Sequence, residues 1–334
     1  MRSVYLFALL LVLAKNIRAK VRFLWFHDLL IPELNDHLTF LSPKIDLVYG
    51  LSAYHCGHIE QSLPELAPKV RQLMNGLEPA LVSEATRAVT GKKHKMMFTS
   101  RPERGLLVAL DLYEQLQDTT LEFLICTYAY TQSEDVTTLE ARCRQRISEL
   151  IERGFPVATG SFNKRDLYRH IAESKVVIYP APVQGEIFCI NAIEAQACGT
   201  VLLTIDEFAF KETVGYERIA RGDTKGFYTR LKAILSNESM RQELEIRGRE
   251  HVKPYTWQRV AKHLIDDATR QLQLCAVSEI PPRRIFKRGL QKSPPYPPQL
   301  ASLLRPVINP ITENARFEEL NAGTCSPQDG IDLN

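Results

Sequence analysis

With 334 residues, the chain is long enough for two domains of ordinary size. Its 45% hydrophobic and 24% charged residues are those of a globular protein, not of a disordered or fibrous one. A formal net charge of +3 lacks the strong basic bias of a dedicated nucleic-acid binder, so no nucleic-acid partner is expected.

At the start of the chain, residues 4–14 form an apolar run behind Arg2, followed by Lys15, Arg18 and Lys20. Eleven residues are too few for a membrane-crossing helix, which needs about 20. A signal segment, a surface anchor and a core element all fit this length. From residue 21 onward, short apolar runs alternate with amphipathic stretches, the pattern of an α/β fold. Strands are expected over 21–26, 45–49 and 70–73, then over 95–99, 121–126, 155–159, 175–179 and 200–205. Most are continuous apolar runs, as in parallel strands covered on both faces. A polar stretch over 80–94 reads as the linker between the two groups.

Helices are expected where apolar residues recur three or four apart. Leu106, Leu110, Tyr113 and Leu116 share one face, as do Val136, Leu139, Cys143, Ile147 and Leu150 between Ser133 and Gly154. Leu167 and Ile171 follow Asn163, and a last long helix is expected from Thr256 to about residue 273. Residues 276–334 carry three Pro-Pro pairs and read as a largely irregular tail. The resulting division is 1–20, 21–90, 95–275 and 276–334. Seven scattered cysteines form no C-x-x-C pair, which removes a zinc knuckle or thioredoxin-type site and points to free thiols in a reducing compartment.

Two segments carry chemistry. In residues 179–199 a strand ends at Pro180, a loop follows, a helix is expected from Phe188 to Cys198, and Gly199 closes it. A helix N-terminus at the carboxyl end of a parallel strand offers free N–H groups and a positive dipole to a diphosphate. Glu186 lies at the helix mouth, and Glu194 lies two turns inside, where its carboxylate can accept ribose hydroxyls. The second segment, Arg101-Pro-Glu-Arg104-Gly105, again joins a strand to a helix. Its guanidinium groups can hold a diphosphate and stabilise it as it leaves.

Together these segments resemble the donor half of glycosyltransferase family 4, retaining enzymes of the GT-B fold. Arg101, Arg104-Gly105, Glu186 and Glu194-Ala-Gln-Ala-Cys-Gly199 match the family layout in order and spacing. The resemblance implies two Rossmann-like domains: a partial acceptor-side one over 21–90, and a nucleotide-sugar-binding one over 95–275. It covers about residues 21–273 and implies donor contacts from Arg101, Arg104, Glu186 and Glu194. Further contacts are implied from Gly160, Ser161 and Phe162 beside the base, and from Ile187, Phe188, Cys189 and Ile190 around the helix start. Ile187 and Cys189 replace glycines common in the family.

The same resemblance places His27, at the end of the first strand, against the transferred sugar, so His27, Arg101, Arg104 and Glu186 form the expected catalytic set. Glu212 matches an acidic residue beyond a later strand. Asn75-Gly76 looks like the turn ending the first domain, and Tyr255-Thr256-Trp257 like the start of a helix that packs back on it. His55 and His58 have metal-like spacing but no partner cluster, and no D-x-D occurs. No metal and no cofactor are therefore expected beyond the nucleotide-sugar substrate. Only 26 residues precede His27, without the family's Gly-rich loop, so the N-terminal domain reads as truncated, either reduced in itself or cut by an internal start of the sequence.

The implied activity is hexosyl transfer with retention, without a metal, to a glycan or lipid-linked acceptor in the cytoplasm, with peripheral membrane contact an option. A catalytically impaired relative acting as a binding or scaffold protein is the alternative. An epimerase of the same fold is a second rival, for which no extra acid-base pair is found.

Overall fold

Among the described residues, eight short parallel strands lie in two sheets. The computed structural model describes residues 19–30, 35–127, 134–180 and 185–277, and those up to Leu274 belong to one compact unit. The apolar run at 4–14, the tail beyond 277, Ser133 and the loop at 181–184 lie outside the described residues.

The first sheet contains β1 (Phe23–Trp25), β2 (Leu47–Gly50) and β3 (Val70–Gln72) in the order β1-β2-β3. Helix α1 (Asn35–Leu41) precedes β2, α2 (Ala53–Ser62) lies between β2 and β3, and α3 (Pro79–Thr86) follows β3. The second sheet contains β4 (Lys95–Phe98), β5 (Glu122–Ile125), β6 (Val157–Thr159), β7 (Val176–Tyr179) and β8 (Val201–Thr204). Its spatial order is β6-β5-β4-β7-β8. The connecting helices are α4 (Leu106–Leu116), α5 (Glu134–Glu152), α6 (Lys164–Glu173) and α7 (Ile190–Ala197). After β8 come α8 (Phe210–Thr213), α9 (Thr224–Ser236), α10 (Glu238–Val252) and α11 (Trp257–Val277).

All residues of β2, β4, β7 and β8 are buried, which explains their unbroken apolar runs. Each expected strand is present, one to three residues shorter, and the second is shifted to end at Gly50. Asn163 caps α6 through its side chain to the Asp166 amide, and Gly199 turns left-handed (φ +70°) just past α7, as a C-terminal cap requires.

Three differences have physical causes. The stretch read as a linker contains α3, whose Val82 and Ala85 are buried in the core of the second sheet. Helix α7 begins at Ile190 instead of Phe188, because Cys189 takes a left-handed conformation (φ 58°, ψ 78°) that a helix cannot include. Helix α2 escaped the periodicity reading because its buried face includes a polar side chain, His55, alongside Ile59.

The last helix crosses back to the first sheet. Val260 and Leu264 pack with Leu47, Tyr49 and Leu73, and the Tyr49 hydroxyl donates to Asp267 at 2.9 Å. At its start, the Leu77 amide donates to the Tyr255 carbonyl (2.9 Å) and the Trp257 amide to the Leu77 carbonyl (3.2 Å). Gly76 is required there, since a Cβ would fall 2.3 Å from the Trp257 nitrogen. The helix starting after Tyr255-Thr256 thus packs back on the first sheet as expected, and its start also meets the Asn75-Gly76 turn.

Candidate active site

From β4 the chain builds outward through β5 to β6, then returns to the other side of β4 with β7 and β8. The carboxyl ends of β4 and β7 therefore flank a switch point, where open parallel sheets form a ligand crevice. Both chemical segments issue from these two strand ends. Asn191 in the first turn of α7 ties them together. Its Oδ1 accepts from the Thr99 hydroxyl (2.6 Å), and its amide donates to the Thr99 carbonyl (3.3 Å).

Glu186 is held on both oxygens. Oε2 accepts from Arg104 Nη1 (3.1 Å) and the Tyr179 hydroxyl (2.8 Å), while Oε1 accepts from the amides of Cys189 (3.1 Å) and Phe188 (3.5 Å). The amides at 188 and 189 were expected to be free for a diphosphate; the Glu186 carboxylate has taken them. Burial holds the Cys189 thiol well above the ordinary thiol range, with the Glu186 charge adding to the rise, so this cysteine is no nucleophile at neutral pH.

Glu194 is buried, about one turn into α7, which begins later than expected, and accepts from the Tyr168 hydroxyl (3.0 Å) and Lys164 Nζ (2.5 Å). Both donors come from α6, which follows the Gly160-Ser161-Phe162 loop. There the Phe162 ring lies against His170 with centroids 4.4 Å apart, and a Cβ at residue 160 would come within 2.7 Å of it. Arg101 caps the turn after β4 and pairs with Glu103 (3.0 Å). The structure thus joins Arg104 directly to Glu186, sets Glu194 on the helix that begins just after the Glu186 loop, and pairs Arg101 with Glu103 in its own loop.

The side chains of Ile187 and Phe188 are taken up by apolar packing. Both pack in an apolar seam with Leu51, Leu77, Ile193 and Val252, with Trp25 alongside. Their apolar side chains gain more there than in a polar cleft, which limits any donor contact to their backbone. Ile190, the first residue of α7, remains 41% exposed.

His27 stands two residues beyond β1, exposed, its ring 4.7 Å from that of Trp25. The segment after it is held from α2. The Leu30 amide donates to His58 Nε2 (3.2 Å), and His55 Nε2 bonds the Asp28 carbonyl (3.2 Å). Because His55 Nδ1 accepts from the Leu51 amide (3.1 Å), its hydrogen sits on Nε2. The spacing that looked metal-like is thus a loop scaffold.

Sequence reasoning missed Lys164, Tyr168, Tyr179, Thr99 and Asn191. The first two had a legible signal, since i and i+4 on a helix capped by Asn163 share a face. Thr99 and Asn191, far apart in the chain, had none.

Residues 96–251 match the family model for glycosyl transferases group 1. The match runs from β4 through α10 and so includes both chemical segments. Over 94 residues the chain is 33% identical to a phosphatidyl-myo-inositol mannosyltransferase of Mycobacterium leprae (strain TN), covering 26% of this chain and 25% of that protein. Among solved structures, Anabaena HepE in complex with UDP has a TM-score of 0.62 at 15% identity, over 74% of this chain and 72% of that one. An alpha,alpha-trehalose-phosphate synthase (UDP-forming) from Burkholderia vietnamiensis has a TM-score of 0.62 at 13% identity, over 75% and 66%. The Candida albicans trehalose-6-phosphate phosphatase N-terminal domain has 0.59 at 15%, over 71% and 60%. The chain therefore spans a quarter of the mannosyltransferase and 60% of the Candida domain. The fold is mixed α/β with parallel, Rossmann-like sheets, as in the GT-B glycosyltransferases.

Proposed function

We propose that this chain is a retaining glycosyltransferase that moves a hexosyl group from a nucleotide-diphosphate sugar without a metal ion. The observation carrying this reading is the Arg104–Glu186 pair at the sheet switch point, with Glu194 on the helix that follows the Glu186 loop. Arg104 and Arg101 neutralise charge as the nucleoside diphosphate leaves, and preorganised cations lower that barrier without reorganising. Glu194 binds the ribose hydroxyls once half-exposed Lys164 swings aside. Glu186 orients the donor sugar, and the Phe162 loop flanks the base. His27 approaches the sugar from the other half. No side chain is assigned as general base. The group 1 match over 96–251 and the solved relative in complex with UDP support the donor class. The mycobacterial relative, by its name, supports a lipid-linked or glycan acceptor. We place the reaction at the cytoplasmic side of a membrane; no helix among the described residues is long and apolar enough to cross one.

The test is calorimetric binding of UDP and GDP, with release of either nucleotide from UDP-glucose and GDP-mannose as the activity readout. Glu194→Ala should weaken binding of the preferred nucleotide at least tenfold, equivalent to about 1.4 kcal/mol. Arg104→Ala should lower turnover more than affinity. Undiminished nucleotide affinity in the Glu194 variant would remove the ribose assignment, and no binding of either nucleotide would remove the donor class.

A further inference from the structure

Glu212, at the end of α8 in the second half, reaches across to the first. Its Oε2 accepts from the Ala53 amide (2.9 Å) and Gln72 Nε2 (2.8 Å), and its Oε1 from the Tyr54 amide (3.3 Å). Ala53 and Tyr54 are the first two residues of α2, and the third, His55, donates its amide to Ser52 Oγ (3.0 Å). The open donors of this helix start are therefore taken, two of them by a carboxylate from the other half, where the helix dipole favours negative charge. The residue is braced from behind, because its carbonyl accepts from His251 Nε2 (2.6 Å) and the Tyr255 hydroxyl (3.0 Å). Farther along α2, His55 and His58 hold the Asp28 carbonyl and the Leu30 amide, directly after His27.

We propose that Glu212 is a positioning residue: through α2 it fixes the loop at 27–30, and with it His27, relative to the donor half. The clamp makes one unit of two parts that a GT-B reaction must bring together. It explains why an acidic side chain stands at 212, where it touches neither Arg104 nor Glu194, and why two histidines on α2 serve as loop anchors. The catalytic consequence rests on the role proposed for His27; the mechanical coupling does not.

Two measurements separate these. In amide hydrogen exchange, Glu212→Ala should speed exchange at least tenfold both at 53–55 and in the segment 27–30, with amides 188–189 unchanged. Faster exchange confined to 53–55 would overturn the coupling. Glu212→Gln, which keeps one acceptor oxygen, should show the same order of segments at smaller amplitude and serves if the alanine variant does not fold. In the second measurement, UDP or GDP release from UDP-glucose or GDP-mannose is followed in a cycle with His27→Ala. Glu212→Ala should lower turnover about tenfold in the native background and less than twofold in the His27→Ala background, with nucleotide affinity within twofold throughout. Losses that multiply would overturn action through His27. A His27→Ala variant with native turnover would remove the role of His27, leaving the exchange result to judge the clamp alone.

Discussion

Mild acid should destabilise this protein through one buried imidazole. His55 is fully buried, and its Nδ1 accepts the Leu51 amide, so a proton there would set two N–H groups against each other. Burial pushes its pKa from 6.5 to about 4, with nearby His58 and His27 lowering it further and the Asp28 carbonyl bond opposing. The unfolded chain thus holds more protons than the folded one between these values. The contribution to stability is complete above pH 6.5, falls as pH drops through the window, and changes no further below about pH 4. At 1.36 kcal/mol per unit, the loss is about 3 kcal/mol, a large share of the ~5–15 kcal/mol that holds a typical domain.

Urea denaturation of the native protein and a His55→Gln variant, from pH 7.5 to 4, isolates the effect. Groups common to both, including Glu245, which burial raises, and Glu217, which Arg247 lowers, cancel in the difference. The native advantage should shrink by about 3 kcal/mol across the range. A difference flat with pH, or a folded-state His55 resonance titrating near 6.5, would refute the reasoning.

Other perturbations follow from the same contacts. Glu186→Gln leaves the mostly buried Arg104 without its ionic partner and should cost about 2–3 kcal/mol, seen as a fall of roughly 5–10 °C in Tm. Gly76→Ala drives a Cβ into the backbone of Thr256 and Trp257 and should lose about 2–3 kcal/mol in urea unfolding. Cys189→Gly should stay within about 1 kcal/mol of the native protein, since relief at a positive φ offsets lost packing, whereas Cys189→Val should be markedly less stable. Lys164→Ala frees the Glu194 carboxylate from a half-exposed ion pair worth about 0.5–1 kcal/mol, so UDP or GDP affinity should rise about threefold by calorimetry.

Much of the fold was legible because burial leaves a periodic trace. The runs at β4, β7 and β8 are apolar throughout since both sheet faces are covered, and the stripe of α4 faces one core. Arg104 and Glu186 were legible too, because a strand, a loop and a helix mouth each mark themselves locally. What sequence could not show is which distant segments meet. Phe188 has the same residue type whether it lines a cleft or a seam between halves, and only packing against Leu51 and Val252 decides. His55 and His58 repeat the spacing of metal ligands, yet their partners are the Leu51 and Leu30 amides and a carbonyl at Asp28. The Glu212 carboxylate finds its donors 159 and 158 residues away, a pairing no local period encodes. Side-chain patterns record which face of a segment avoids water. The hydrogen-bond partner of a polar group is chosen by the three-dimensional arrangement, because many groups of equal chemistry compete for it along the chain.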